Sequence, residues 1–185
     1  MTVARVLSKD EIDKLFNEGF QLDRDRALFG MCLYTACKIN EACMMHTVDA
    51  FQGNKVRSHL LIPKIDPDGK RVSRNVPTHP QLEEWLRGYR PFVGDHPYLF
   101  PGRHGRGYIN PRSAAAILKQ ACDHLGLDGI STHSFRKTTL VKLCKDGLDI
   151  PSLLSISGLD SVAALQKYLN LGDTNLSEAI TSLNF

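Results

Sequence analysis

Apolar positions recur at helical spacing along most of the chain, broken once by a stretch of strand character. Ser8-Lys9-Asp10-Glu11 reads as a capping box opening a short helix with Ile12, Leu15 and Phe16 inward and an end near Gly19. This helix is expected to form a lid or entry to the domain. Asp23 to Cys37 follows with few breakers and an apolar face through Leu28, Met31, Cys32 and Thr35, which predicts a more buried helix. A turn at Lys38 leads into another helix near Asn40 that packs Ala42, Cys43 and Met45. Leu60, Leu61 and Ile62 then mark a strand from His59 to Ile65, Asp66-Pro67-Asp68-Gly69 is a strong turn, and Lys70 to Val76 returns, so a β-hairpin is predicted.

Helical spacing resumes at His79 to Arg87, with Leu82, Trp85 and Leu86 on one face and Gly88 as the expected stop. A Pro- and Gly-containing loop carrying Arg103 and Arg106 leads to Asn110-Pro111, which opens an Ala-rich helix over Arg112 to Leu125. From His133 no Pro or Gly intervenes until Gly147, and Ser131 or Thr132 supplies an N-cap. Gly172-Asp173-Thr174 caps a last helix with Leu176, Ala179, Ile180 and Leu183 at helical spacing. The fold class expected is α+β, mostly α-helical with a small antiparallel sheet.

Size and composition narrow this picture without naming a function. At 185 residues the chain suits one well-cored domain, and 42% hydrophobic with 23% charged residues suits a globular protein in water. No apolar run reaches the ~18 residues that a membrane span needs, and MTVARVLSKDE has no apolar signal core, so a cytoplasmic setting is expected. The five cysteines, Cys32, Cys37, Cys43, Cys122 and Cys144, are odd in number and lack CxxC spacing, which reads as small core hydrophobes. Seven histidines likewise show no ligand spacing, so no metal is expected. A net charge of +3 permits a polyanionic partner without requiring one.

The candidate chemistry lies between Thr132 and Leu169. His133 and Arg136 stand at i and i+3 in the first turn of a helix, where backbone N–H groups and the helix dipole favour an anion and the arginine fork matches phosphate oxygens. Tyr168 follows nine residues after Leu159 in SGLDSVAALQKYL. His-x-x-Arg opening a helix, Gly158-Leu159 closing the next and Tyr168 beyond it together resemble the tyrosine recombinase (phage integrase) family. In that family a Gly-His pair stands where this chain has Gly158-Leu159. The family phrase Thr-Gly-Leu-Arg-Ile-Ser-Glu corresponds to TACKINE here, which puts Lys38 in place of a catalytic arginine. A lysine sits on the family's hairpin ahead of a returning Arg-x-Val-Pro. Arg74-Asn75-Val76-Pro77 matches that phrase and makes Lys64 the better candidate, with Lys70 the alternative.

The resemblance implies a catalytic domain spanning 1–185, without the N-terminal helical domain that helps relatives encircle DNA. It implies cleavage and rejoining of double-stranded DNA through a 3′-phosphotyrosyl link, with no cofactor. Tyr168 would attack, Arg136 would clamp the phosphate, His133 would bond a phosphate oxygen or assist Tyr168, Lys64 would protonate the leaving oxygen and Lys38 would add charge. Leu159, a non-catalytic residue at a catalytic position, cannot donate a hydrogen bond, and an ammonium at Lys38 cannot reproduce a fork. A module that binds DNA without cutting it is therefore the alternative function, and an unrelated helical interaction domain is the third. Arg103, Arg106, Arg112, Lys119 and Lys70 are DNA-contact candidates, with a solvated charged surface as the bland reading. The apolar stripe of helix 174–184 either packs on its own domain or docks on a neighbouring copy.

Overall fold

The computed structural model describes residues 4–169. The expected helix 174–184 lies outside them. Helix α1 (Lys9–Lys14) opens on the Ser8 capping box, with the Glu11 N–H donating to Ser8 Oγ and Glu11 Oε2 accepting from the Ser8 N–H. A π-helical turn, Leu15–Gly19, continues it. Far from forming a lid, this end belongs to the core. Leu15 and Phe16 are buried, and the Phe16 ring stacks on Trp85 at 4.3 Å between centroids. Two large apolar residues on a short helix gain more from burial than an open lid would allow.

Helix α2 (Asp23–Thr35) runs through the centre. Phe29 stacks on Phe20 at 4.6 Å and on Phe135 at 5.5 Å. Gly30 sits where a Cβ would come within 2.7 Å of the Trp85 ring, so glycine lets the next long helix close on α2. Ala36 ends α2 in the left-handed region with φ 51°, a conformation that glycine adopts at no steric cost. Short helices α3 (Ile39–Cys43) and α4 (Thr47–Ala50) follow, then a two-stranded ribbon β1 (Phe51–Gln52) and β2 (Lys55–Val56). Segments this short leave little periodic signal.

The expected hairpin is β3 (His59–Ile65) paired antiparallel with β4 (Arg71–Pro77), in a register that sets Lys64 opposite Val72 and Ile62 opposite Arg74. Side-chain alternation points Leu60, Ile62 and Val76 into the core and leaves Lys64 and Arg74 on that same side nearer the turn. Helix α5 (Pro80–Val93) passes through Gly88, the expected stop, and ends at Gly94, six residues later. An interior helical glycine costs about 1 kcal/mol relative to alanine, which burial of Tyr89 and Val93 beyond it offsets. Helix α6 (Pro111–Leu125) has its Asn110 cap and ends at Gly126 in the left-handed region.

The last three described helices carry the candidate chemistry: α7 (Thr132–Lys145), α8 (Ile150–Ser157) and α9 (Val162–Leu169). Phe135 on α7 joins the large core, while Leu140, Leu153 and Leu165 form a second, small cluster with Ala36. Cys32, Cys37, Cys43 and Cys122 are buried and Cys144 is half-buried, all as free thiols. Burial pushes the Cys43 thiol up to about 12 and Cys122 to about 11, as expected of inert core positions. Among the described residues no helix is long and apolar enough to cross a membrane, and no cluster of side chains could hold a metal ion.

Candidate active site

Arg136 is fully buried on the inner face of α7. Its Nη1 donates to the Ala36 carbonyl at 2.5 Å and to the Ser157 carbonyl at 2.9 Å, at the C-terminal ends of α2 and α8. Carbonyls left without partners at helix ends carry negative partial charge, so one guanidinium nitrogen joins two helices there. Among the described residues, Nε and Nη2 have no hydrogen-bond partner. Two buried, unpaired donors on one cation cost several kcal/mol by the usual scale, and native proteins rarely keep them without a purpose. Arg136 Cζ lies over the Tyr168 ring, 5.0 Å from its centroid, within cation–π range.

His133 departs from the expected common orientation with Arg136. It stands exposed on the first turn, whereas Arg136 turns inward. Two carbonyls draw the guanidinium into the core, while His133 stays at the surface beside the buried Ser134 and Phe135.

The hairpin reaches the same region from the other side. Lys64 Nζ donates to the Gly158 carbonyl at 3.3 Å and to Asp160 Oδ1 at 2.5 Å, both on the turn between α8 and α9. The nearby ammonium of Lys64, and the charge of Lys38 beyond it, hold the Asp160 carboxyl below its usual range. Lys70 instead sits exposed in the hairpin turn, where its N–H donates to Asp66 Oδ1. Lys38 is half-buried at the start of α3.

Residues not singled out in the sequence assemble this arrangement. Glu41 accepts from the Lys38 N–H at 2.8 Å and pairs with Arg74 Nη2 at 2.9 Å, while Arg74 Nε donates to the Ile156 carbonyl at 2.8 Å. Both partners of that pair are nearly buried, so α3, β4 and α8 are joined by charge-assisted bonds. Gly158 has φ 65°, and a Cβ there would fall 2.9 Å from Arg74 Nη1. Leu159 is half-buried and packs with Tyr168 on the cluster of Ala36, Leu140, Leu153 and Leu165.

The Arg136–Tyr168 pair, the Lys64 contact with the α8–α9 turn and the influence of Lys38 on Asp160 put four sequence candidates in one neighbourhood. The surface candidates lie apart from them by element. Arg103 and Arg106 flank an exposed turn, Arg112 is exposed at the start of α6, and Lys119 is exposed and paired with Asp123 at 2.5 Å.

The phage integrase family model matches residues 5–175. The chain belongs to that family. Tyrosine recombinase XerC of Corynebacterium glutamicum is 27% identical over 159 residues, covering 84% of this chain and 49% of that relative. The chain therefore spans about half the length of this curated relative. The crystal structure of XerA recombinase superimposes with a TM-score of 0.76 at 22% identity, covering 98% of this chain and 66% of that one. XerH site-specific recombinase bound to difH substrate, in a pre-cleavage complex, gives a TM-score of 0.73 at 16% identity, covering 97% of this chain and 55% of that chain. At such identities the structural likeness establishes the fold, which is that of tyrosine recombinase catalytic domains.

Proposed function

We propose that this chain is a catalytic domain for site-specific DNA recombination, cutting and rejoining strands through a 3′-phosphotyrosyl link to Tyr168. The observation that carries the reading is Arg136: a buried cation whose Nε and Nη2 have no partner among the described residues, with Cζ 5.0 Å from the centroid of the Tyr168 ring. A phosphodiester oxygen is an anion able to accept from two neighbouring guanidinium donors at once. Both donors are shut off from solvent, so phosphate entry requires the overlying segment to shift, which couples substrate binding to movement of the nucleophile.

Each remaining group has a role in that reaction. Tyr168 Oη attacks phosphorus and loses its proton, the bond to the 5′ oxygen breaks, and Lys64 gives that oxygen a proton, leaving a free 5′-hydroxyl. Attack by a 5′-hydroxyl on the phosphotyrosine reverses the step and reseals the strand. The bond energy stays in the protein–DNA link, so the chain needs no cofactor or metal for it. Lys38 and Arg136 offset the charge on the non-bridging oxygens. His133 at the surface of α7 contacts the phosphate or Tyr168 once DNA is bound. DNA also contacts Arg103, Arg106 and Arg112, and the setting is the cytoplasm.

Lys38 and Leu159 make the enzyme slow. Loss of one oxyanion-type donor typically costs ~10²–10³ in rate, and Leu159 offers none through its side chain. Incubation with a nicked suicide duplex, followed by denaturing electrophoresis, tests the reading. A slow covalent adduct is expected, absent in Tyr168→Phe and faster in Lys38→Arg with Leu159→His. Duplex binding without an adduct in any variant would leave a DNA-binding module in its place.

A further inference from the structure

We propose that Asp160 is an internal stand-in for the DNA phosphate, a carboxylate that occupies Lys64 until the substrate displaces it and so sets how readily the site engages DNA. The inference rests on the function proposed above and adds to it a positioning residue on the α8–α9 turn.

Three observations carry it. Asp160 Oδ1 takes the Lys64 ammonium at 2.5 Å, and the second contact of that ammonium is the Gly158 carbonyl on the same turn. Among the described groups, the charges that act on Asp160 are both cations of the site, Lys64 first and Lys38 after it. Finally, the turn borders an open recess of about 200 Å³ between the hairpin and α8, lined by Lys64, Arg74, Ser155, Leu159 and Asp160. A negatively charged oxygen thus already occupies the lysine that the reaction assigns to the scissile group.

Chemistry makes this pairing an obstacle rather than a support. An ammonium bonded to a carboxylate is less free to bond a phosphate oxygen or to turn toward a leaving group, because one of its donors is already directed at Asp160. The pair is also easy to break. Asp160 is 86% exposed on its side chain, and exposed ion pairs are individually weak and screened by salt. A polyanion can therefore displace Asp160, but each engagement of the site begins by breaking the pair. The adjacent Ser161 Oγ accepts from the Ala164 N–H, so capping of α9 does not depend on Asp160.

Duplex binding, measured by fluorescence anisotropy across a salt series on Asp160→Asn and the unaltered chain, tests the inference. Removing the internal anion frees one cation for phosphate, so Asp160→Asn should bind roughly threefold to tenfold tighter at low salt, with a log K against log salt slope steeper by about 0.9. The gain should shrink in a Lys64→Ala background, because the partner of Asp160 is then gone. Adduct formation on a suicide duplex should also accelerate in Asp160→Asn. Unchanged or weaker binding with an unchanged slope, in a variant of unaltered melting temperature, would overturn the inference. A tighter, steeper Asp160→Asn that forms no adduct, like the unaltered chain, would instead keep the inference about phosphate displacement and reject cleavage. Slower adduct formation at unaltered affinity would overturn it by showing that Asp160 holds Lys64 productively.

Discussion

Two apolar clusters share this domain, and they are built differently. The larger one is interlocked through aromatic rings: Phe16 against Trp85 and Phe135, and Phe29 between Phe20 and Phe135. The smaller, which carries Tyr168, has Ala36, Leu140, Leu153 and Leu165 fully inside among the described residues. Polar contacts supplement it, and they come from the site itself: Arg136 to the Ser157 carbonyl, Arg74 to Ile156 and Lys64 to Gly158. The larger cluster is thus held by interlocked apolar packing, while the end of α8 and the turn after it are also tied to the rest of the domain by cationic side chains.

Breaking the larger cluster should have the greatest effect. Phe135→Ala removes a fully buried ring from the contact between α2 and α7 and should cost about 3–5 kcal/mol, lowering the urea midpoint of the whole domain together. Arg74→Met should cost somewhat less, about 3 kcal/mol, because it leaves the Glu41 carboxylate buried without its partner. That loss should be recovered in large part by Glu41→Gln in the same chain, a double-variant result that denaturant melts can read.

Leu165→Ala sharpens the contrast. About 2 kcal/mol should be lost, but locally: amide exchange in α9 should speed up while exchange in α2 and α7 stays near its original rate. An equal loss of protection across all three helices would show that the two clusters unfold as one.

The pH response should be milder still. Arg5 pairs with Glu11 through two hydrogen bonds and holds its carboxyl down to about 2, below its ordinary value. A depressed folded value means this contribution is complete above the unfolded value near 4.5 and is lost as pH falls toward 2. The pair is partly exposed, so Glu11→Gln should remove at most about 1 kcal/mol at pH 7, and its stability should converge with the unaltered chain at pH 2. The smallest change expected is a gain: Ala36→Gly should stabilise by roughly 0.5–1 kcal/mol by relieving a non-glycine left-handed residue at the α2 terminus.

Elements with local signals were legible from the sequence alone. The Ser8 capping box, the Asp66-to-Gly69 turn and the Asn110-Pro111 helix start all act through neighbours within four residues. What depends on distant partners was not. Gly88 has the sequence signature of a helix stop, but burial of Tyr89 and Val93 against other elements carries α5 past it. Leu15 and Phe16 were expected to face inward, but the helix bearing them read as a lid because the partners of Phe16, Trp85 and Phe135, are far along the chain. At the site, residue type and helix position singled out Arg136, and the family resemblance singled out Tyr168. The inward turn of Arg136 depends on the carbonyls of Ala36 and Ser157, which no side-chain pattern reveals. Glu41, Arg74 and Asp160 stood only inside matched phrases with no role of their own, since a charged residue acquires its role from the partner that folding brings to it.

The most direct test of the account is the identity of the residue that becomes joined to DNA. The chain has five tyrosines, Tyr34, Tyr89, Tyr98, Tyr108 and Tyr168, and after reaction with a suicide duplex and digestion of both polymers, peptide mass spectrometry can locate the nucleotide-bearing one. The account predicts the added mass on Tyr168 alone, the ring over Arg136. Added mass on another tyrosine, or unmodified peptides from a chain shown to be saturated with DNA, would contradict it.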